Sequence, residues 1–302
     1  MQTHTQTCCY GANAWTILNS IEQSIKHKVE SLGTPLKDWD VEIYRGVLTG
    51  FNDAFIIDTT KRDAILNACT DEDERIRTAE IFRPILRGRD IKRYGYQYAD
   101  LYIIATFPSR HYDIDDYPAL KDFLLTFGIE RLEQTGSEYI IDGEKVKARK
   151  KTSNKWYETQ DSISYWDEFS KPKIIYPNMT KFLPFVYDEK GYITNQKCFI
   201  ITGKHIAFLT AFLNSSLFKF CFADRFPELQ GKTRELSKIF IDEIPVPQIS
   251  DSENEEYSKL VNDIQSSYSQ EQAIVIDQMI FDMYGLTPDE QAFIGFVDFG
   301  EK

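Results

Sequence analysis

The sequence predicts an α/β fold: a mixed, curved β-sheet with peripheral helices, followed by a helical C-terminal part. Short runs rich in β-branched and aromatic residues, such as residues 101–107 and 198–202, are typical of buried strands. Residues 13–32 and 257–284 instead repeat apolar side chains every three or four positions, which is the spacing of one buried helix face. With 302 residues and 42% hydrophobic content, the chain can fill a real core as one large domain or two ordinary ones.

The pattern of the first sixty residues predicts a helix followed by two strands with glycines between them. Residues 13–32 carry one apolar stripe that begins at Trp15, and Gly33 supplies the stop signal. Residues 41–47 then have strand spacing, and residues 54–57 have it again after Gly50. We expect these two strands to form a hairpin-like unit.

The next sixty residues alternate between helical and extended patterns. Residues 61–67 indicate a helix, and the acidic residues 71–74 are expected to form a solvent-facing loop. Residues 101–107 predict a buried strand. A short helix follows over residues 117–125, with Pro118 near its start, where a proline is well tolerated.

The second half of the chain predicts three more strands and then helices. The strands are expected at residues 171–177, 198–202 and 239–246. A helix over residues 204–222 should have a kink or a polar contact at residues 214–216. The final helix should begin at the Thr287-Pro-Asp-Glu290 capping box.

These patterns suggest three segments and a cytoplasmic protein. We expect an N-terminal linker helix at 1–35, a central domain at 36–248 and a helical segment at 249–302. No apolar run approaches the roughly 20 residues of a membrane helix, and the first residues lack the features of a signal peptide. The five cysteines form no Cys-x-x-Cys pair and the four histidines are scattered, so we expect no metal site built from sequence-local ligands.

The commonest catalytic motifs are missing from the sequence. No Gly-x-Gly, no Gly-x-Ser-x-Gly elbow and no complete P-loop pattern occurs. None of the 11 prolines is adjacent to another, which excludes the Asn/Asp-Pro-Pro-aromatic loop that holds a flipped base in amino methyltransferases. Pro288-Asp289 lies in the capping box without a following acidic-x-Lys, so a metal nuclease of that type is not expected. We therefore nominate no catalytic residue.

Residues 83–94 are the first candidate binding site, because they concentrate positive charge in a protein whose net charge is -12. Five of these twelve residues are basic: Arg83, Arg87, Arg89, Lys92 and Arg93. Nucleic acid responds to the potential of one surface rather than to the total charge. The alternative is a solvated loop that pairs with its own acidic surface.

A second basic region lies within residues 133–167, where lysines alternate with amides and aromatic residues. Its basic and amide side chains are Lys145, Lys147, Arg149, Lys150, Lys151, Asn154 and Lys155. Such a composition suits a loop or hairpin that lies along a nucleic-acid backbone and reaches toward bases. The alternative is an exposed lysine-rich hairpin whose aromatic residues form a small satellite core.

Four blocks of the sequence resemble a known family. Residues 39–58, 83–94, 171–176 and 244–247 are similar, in this order, to the TaqI-like C-terminal specificity domain. That domain occurs in type IIG restriction-modification enzymes and in adenine-specific DNA methyltransferases. The tail at residues 283–290 also resembles the end of those enzymes, so the resemblance extends over nearly the whole chain from about Trp15 onward.

The resemblance implies DNA recognition without catalysis. In that family a methyltransferase domain comes first and the specificity domain then reads the DNA, whereas the methyltransferase loops are missing here. We therefore expect no cofactor in this chain, with S-adenosylmethionine and Mg required only by the missing catalytic domains. The expected partners are double-stranded DNA and an N-terminal methyltransferase domain of the same parent protein or a separate subunit, and no membrane.

The expected DNA-contacting residues combine both basic regions with the polar residues near the last strands. Lysines and arginines should hold phosphates, and the amides of Asn154, Asn195 and Gln196 should reach base edges in the major groove. The full set is Arg87, Arg89, Lys92, Arg93, Lys145, Lys147, Arg149, Lys150, Lys151, Asn154, Lys155, Lys171, Lys173, Asn195, Gln196 and Lys197.

Three other interpretations stay open from the sequence. The chain could be a complete methyltransferase or nuclease with degenerate motifs. It could be an interaction scaffold whose helices at residues 13–32 and 257–284 dock partner subunits of a restriction or phage-defence complex. The Ile-Pro-Val-Pro break before a long helix, at residues 244–247, is also similar to the specificity subunits of type I restriction systems.

Overall fold

The computed structural model describes residues 6–7, 17–141 and 143–296, and it shows a mixed α/β architecture. The strands in these residues are β1 (Gln6–Thr7), β2 (Ile17–Leu18), β3 (Thr34–Pro35), β4 (Val41–Arg45), β5 (Ile56–Asp58), β6 (Phe82–Leu86), β7 (Ile91–Lys92), β8 (Gly95–Tyr96), β9 (Leu101–Ile104), β10 (Glu138–Ile141), β11 (Glu144–Lys147), β12 (Lys173–Pro177), β13 (Met179–Thr180), β14 (Val186–Asp188), β15 (Ile193–Thr194), β16 (Cys198–Gly203), β17 (Arg234–Glu235) and β18 (Pro245–Val246). The helices there are α1 (Ser20–Leu32), α2 (Asn52–Phe55), α3 (Thr59–Ala68), α4 (Glu72–Ile81), α5 (Pro118–Leu125), α6 (Ile129–Leu132), α7 (Ile206–Leu213), α8 (Ser216–Phe222), α9 (Lys238–Ile241), α10 (Asp251–Ser266), α11 (Gln270–Met283) and α12 (Pro288–Ile294).

Two four-stranded sheets form the centre of the protein. The first has the order β14-β12-β16-β4 and is antiparallel, with Ile174 opposite Ile201. The second has the order β15-β6-β9-β5, in which β15 runs parallel to β6 and the other pairs are antiparallel. The sheets meet where the N–H of Val47 donates to the carbonyl of Thr194 at 2.7 Å. The predicted mixed α/β fold is therefore confirmed.

Among the described residues the hydrophobic core has three clusters, and neighbouring residues of one strand pack in different clusters. Ile201 of β16 belongs to a cluster with α7, α8 and the C-terminal helices, whereas Ile200 packs in a cluster that also contains Ile85 of the second sheet. The third cluster includes Ile57 and Leu120 and covers the second sheet with helices. This alternation is why the central strands are almost wholly apolar: both of their faces are buried.

Helix α1 begins later than its apolar stripe predicts. A capping box between Asn19 and Glu22 starts the helix at Ser20, and Ile17–Leu18 form β2 instead. The expected residues 13–16 lie outside the described part of the chain. The predicted end of the helix is confirmed, because Gly33 is its C-cap.

The contacts of α1 join it to the C-terminal helices. Ser24 and Lys28 each donate a hydrogen bond of 2.6 Å to the carboxylate of Glu290 in α12. Burial acts to raise the pKa of Glu290, but these bonds and the capping bonds from Thr287 outweigh it and lower the pKa to about 2. The proposed division into three segments stays a prediction, although α1 and the C-terminal helices share one core cluster.

The hairpin-like unit expected after α1 is wrong. Strand β4 pairs with β16, whereas β5 pairs with β9 in the other sheet, and residues 52–55 form the short helix α2. The chain passes between the sheets at Gly46, where a Cβ atom would lie 2.1 Å from the carbonyl oxygen of Asn195. The glycine that suggested a tight turn therefore permits a close approach of two backbones.

Two other local expectations are corrected. Residues 71–74 do not form a solvent-facing loop, because Asp71 caps α4 and the buried Glu74 accepts hydrogen bonds from the N–H groups of Thr70 and Ala119. Residues 239–246 form a strand only at β18, and residues 239–241 belong to α9. The alternating apolar residues of this stretch are divided between one short helical turn and one short strand.

The break in the long apolar helix is confirmed at Asn214. Its side chain bridges the N–H and the carbonyl of Phe185 at 3.1 and 2.8 Å, and α8 restarts with Ser215 as its N-cap. Within the described residues no single helix is long and apolar enough to span a membrane. The bent pair formed by α7 and residues 216–225 would pass that test by length and composition only.

Candidate nucleic-acid interface

A large cleft of about 1310 Å³ lies beside the junction of the two sheets. Three segments form it: the loop at residues 87–96 that follows β6, which we term the cationic loop, residues 179–184 after β12, and residues 195–197 after β15. Gln265 of α10 and Tyr268, which lies between α10 and α11, also line it. The cleft is lined by Asn52, Arg87, Gly88, Arg89, Ile91, Lys92, Arg93, Tyr94, Gly95, Tyr96, Met179, Thr180, Lys181, Phe182, Pro184, Asn195, Lys197, Gln265 and Tyr268.

Arg87 closes the first turn of the cationic loop. Its guanidinium donates to both carboxylate oxygens of the buried Asp90, from Nε at 2.9 Å and from Nη2 at 2.8 Å. The Asp90 hydrogen bond raises the pKa of Arg87, with burial acting against it. Bidentate pairs of this kind fix orientation as well as charge. Arg87 lines the cleft as expected, but its charge is matched by Asp90 within the loop.

Arg93 anchors the other end of the cationic loop. Its Nε and Nη2 donate to the carbonyl oxygen of Asn214 at 3.1 and 2.9 Å, and its Nη1 donates to the hydroxyl of Tyr268 at 3.2 Å. Only 7% of the side chain is exposed, and Asp277 lies 3.9 Å away. Arg93 therefore ties the loop to the break between α7 and α8 and to Tyr268, and the expectation that it grips DNA stays a prediction.

Four other cations in the cleft form no ion pair with any residue that the structure describes. Within the described residues, no ion pair and no hydrogen bond is formed by the side chain of Arg89, Lys92, Lys181 or Lys197. No aspartate or glutamate among those residues lines the cleft, although the whole chain has a net charge of -12. A concave surface lined by one sign of charge focuses its potential. The cleft is thus a positive site on an acidic protein.

Asn195 and Gln196 have different environments although they are adjacent. Asn195 lines the cleft and its Oδ1 accepts a hydrogen bond from the N–H of Lys197 at 3.2 Å. Gln196 does not line the cleft, and its buried Oε1 has no hydrogen-bond partner within the described residues. Of the three amides expected to read bases, Asn154, Asn195 and Gln196, only Asn195 lines the cleft with the unpaired cations.

The expected lysine-rich hairpin is present as β10 and β11. The register places Ile140 opposite Lys145 and Glu138 opposite Lys147, and all four side chains are exposed. Lys145 forms a 2.6 Å ion pair with Glu138. Together with the exposed Lys150 and Lys151 that follow, these lysines lie outside the cleft.

Arg149 belongs to the interior rather than to the surface. Only 2% of the residue is exposed, and its guanidinium donates to four carbonyls. The acceptors are those of Leu132, Thr49, Glu158 and Trp156. Burial lowers the pKa of Arg149 to about 10. The expectation that it contacts DNA is wrong, because its donors hold together segments that are distant in sequence.

Asn154 and Lys155, which follow Arg149 in the chain, differ in whether their polar groups are accessible to a ligand. The amide nitrogen of Asn154 donates to the carbonyls of Thr159 and Gln160 at 3.2 and 2.9 Å. These two hydrogen bonds stabilise the loop that contains Asn154. Lys155 is exposed, with its ammonium 5.4 Å from the ring centre of Tyr157.

Lys171 and Lys173 also lie away from the cleft. Lys173 is fully buried, and its ammonium contacts Asp188 at 2.5 Å and the carbonyl of Phe169 at 2.6 Å, so the expectation of a DNA contact there is wrong. Lys171 is exposed, pairs with Glu168 at 2.7 Å and lines a separate cavity of about 350 Å³.

Several cleft residues were not identified from the sequence. Asn52, Lys181, Phe182 and Tyr268 come from three different segments, and none lies in a basic run. The only local signal is the proximity of Lys181 to a predicted core strand. Within the described residues, no group of three or more His, Cys, Asp or Glu could hold a metal ion.

Comparison with known proteins places these features in one context. The model of the TaqI-like C-terminal specificity domain matches residues 83–246. No curated protein matches the chain. The structure of the type IIG restriction endonuclease BpuSI has a TM-score of 0.52 and 14% identity over 90% of this chain and 34% of that chain.

A second solved structure has the same fold. The type IIL restriction-modification enzyme MmeI in complex with DNA has a TM-score of 0.55 and 11% identity over 94% of this chain and 40% of that chain. The chain thus spans well under half the length of both enzymes.

Proposed function

The chain belongs to the TaqI-like C-terminal specificity domain family, and from that membership we propose that it recognises double-stranded DNA by sequence, with the cleft as its binding face. One observation carries this proposal. Six basic side chains and no carboxylate from the described residues line the cleft of a protein whose net charge is -12. Duplex DNA is the ligand whose charge density best suits such a surface.

Phosphates are the proposed partners of the unpaired cations. Arg89, Lys92, Lys181 and Lys197 have no internal counter-charge among the described residues, so binding DNA costs them no existing ion pair. Phosphate contacts fix the position of a protein on the duplex but carry no direct sequence information. The cations therefore account for affinity rather than for specificity.

The uncharged polar residues of the cleft are the proposed readers of sequence. Asn195 and Asn52 both line the cleft, and a side-chain amide can pair with adenine through two hydrogen bonds in the major groove. Asn195 is held between the two sheets, with its N–H donating to the carbonyl of Leu86 at 3.2 Å. A rigid support of this kind suits a residue that must distinguish base pairs.

The lysine hairpin is a proposed outer contact. Lys145, Lys147, Lys150 and Lys151 are exposed and lie in the part of the chain that Arg149 fastens to Thr49. Asn52, three residues after Thr49, lines the cleft. A duplex longer than the cleft could therefore meet these lysines with its outer phosphates.

Catalysis is proposed to reside in another part of the parent enzyme. The chain covers 34% of one restriction enzyme and 40% of the other. A methyltransferase domain, in the same parent protein or in a separate subunit, would use S-adenosylmethionine, and Mg would serve DNA cleavage. An enzyme of this kind would act on DNA in the cytoplasm.

Selection from a random duplex library tests the proposed function. The chain, immobilised and challenged with excess unrelated DNA, should enrich one short sequence motif over successive rounds. Specific sites commonly bind at least about a thousand-fold more tightly than unrelated DNA, so enrichment should be strong. DNA retained without any common motif would contradict sequence recognition, and no retained DNA would contradict DNA binding altogether.

A further inference from the structure

Two large apolar side chains are exposed inside the cationic cleft. Met179 is 47% exposed and Phe182 is 38% exposed, and both line the cleft together with Lys181. Single exposed apolar residues are common on protein surfaces and need no explanation. Two exposed apolar residues among unpaired cations do need an explanation. The phosphates that would pair with the cations make no favourable contact with a phenyl ring or a thioether.

The backbone around Phe182 is braced to keep this ring at the surface. Met179 and Thr180 pair with β17, and the Oγ1 of Thr180 accepts a hydrogen bond of 3.1 Å from the N–H of Phe182. The next residue, Leu183, is buried in the main core, yet its φ angle is 53°. A left-handed conformation is rare for a bulky side chain and persists only where the surroundings enforce it.

Base faces are the part of DNA that such a ring can contact most extensively. In an intact duplex those faces are covered by neighbouring bases, so only a base step that is unstacked or unpaired exposes them. Apolar residues inserted at opened steps are a recurrent way in which proteins hold distorted DNA. Stacking of a base on an aromatic side chain tolerates any base, because every base has a π-face.

We propose that Phe182, supported by Met179, stacks on an exposed base face, so that the cleft prefers a duplex with an opened base step. This inference rests on the proposed function, since it concerns the DNA form that the same cleft takes. The cations hold the phosphates on either side of the step, and the apolar pair replaces the lost stacking. Phe182 is thus a positioning contact for distorted DNA rather than a reader of sequence.

The test compares two duplexes of the same sequence, one fully paired and one with a single abasic position. Wild-type protein should bind the abasic duplex about tenfold more tightly, which is within the range of one base stacked on an aromatic ring. Phe182→Ala should remove that preference, whereas Phe182→Trp should retain it. Leu229→Ala is the matched control, because Leu229 is also 38% exposed but lies outside the cleft.

Each remaining outcome overturns the inference. It fails if wild-type protein shows no preference for the abasic duplex, or if the preference persists in Phe182→Ala. If Phe182→Ala loses the same factor of affinity for both duplexes, Phe182 contacts a groove edge, such as a thymine methyl group, and does not stack on a base. If wild-type protein binds neither duplex, the proposed function itself has failed, which is distinguishable from the other results.

Discussion

Duplex DNA is expected to bind about a thousand-fold more weakly, at about 0.1 M salt, when glutamine replaces the four unpaired cations of the cleft. These residues are Arg89, Lys92, Lys181 and Lys197. Each phosphate contact releases about one counterion, so the slope of log affinity against log salt should also fall by about 3 to 4. Fluorescence anisotropy of a labelled duplex across a salt series measures both quantities.

A charge-matched variant controls for the loss of four positive charges anywhere on the protein. It replaces four exposed lysines that do not line the cleft: Lys61, Lys204, Lys232 and Lys259. This variant should keep nearly the wild-type salt slope, because its lysines make no contact with phosphate. Equal losses in the two variants would indicate that total charge, and not the cleft, governs DNA binding.

The buried ion pair between Lys173 and Asp188 is expected to give the largest effect on stability. Asp188→Asn keeps the shape of the side chain but leaves the buried ammonium of Lys173 without a counter-charge. Burial lowers the pKa of Lys173, and Asp188 opposes that effect. Removing one partner of a buried pair typically costs about 3–5 kcal/mol, which urea unfolding followed by circular dichroism would detect.

The double variant Lys173→Met/Asp188→Asn separates the charge from the packing. Methionine fills similar space without a charge, so most of the lost free energy of unfolding should return. The asparagine oxygen can still accept the hydrogen bond that the N–H of Tyr192 donates at 3.0 Å. The 2.9 Å hydrogen bond from the N–H of Lys190 to the other carboxylate oxygen is lost in both variants, so it does not affect the comparison between them. A double variant no more stable than Asp188→Asn would show that the turn at Asp188, and not the buried charge, determines the cost.

The sequence predicted the central strands because their composition leaves little choice. Residues 198–202 are a continuous run of apolar and β-branched residues, residues 174–177 are apolar, and strands form at both places. Strand partners were less predictable. The apparent hairpin around Gly46 and Gly50 divides between two sheets, since β4 and β5 each pair with a strand that lies much further along the chain, β16 and β9.

The sequence predicted the cleft residues that lie in a dense run of basic side chains, but not the basic residues that stand alone in the sequence. The cationic loop was identified from the dense basic run at residues 83–94, whereas Lys181 is an isolated lysine that directly follows β13, the strand that pairs with β17. Arg149 shows the opposite error. It lies two residues from the exposed Lys147, but carbonyls from distant segments draw it into the interior.

The roles within the cationic loop were also set by tertiary contacts. Arg87 and Arg93 brace the loop through Asp90 and Asn214, so the exposed Arg89 and the partly exposed Lys92 stand between two fixed ends. A basic run therefore contains some residues that hold the loop in place and others whose charge is available to a ligand. Only the pattern of internal partners distinguishes them.

Protection of individual lysines from acetylation tests most directly whether the cleft is the DNA-binding face. The protein is treated with a limiting acetylating reagent, with and without saturating duplex DNA, and each modified lysine is quantified by mass spectrometry. Lys92, Lys181 and Lys197 should be strongly protected by DNA, while Lys61 and Lys259 should react as in its absence. Cleft lysines that stay fully reactive while bound DNA protects Lys61 or Lys259 would contradict the cleft as the DNA-binding face.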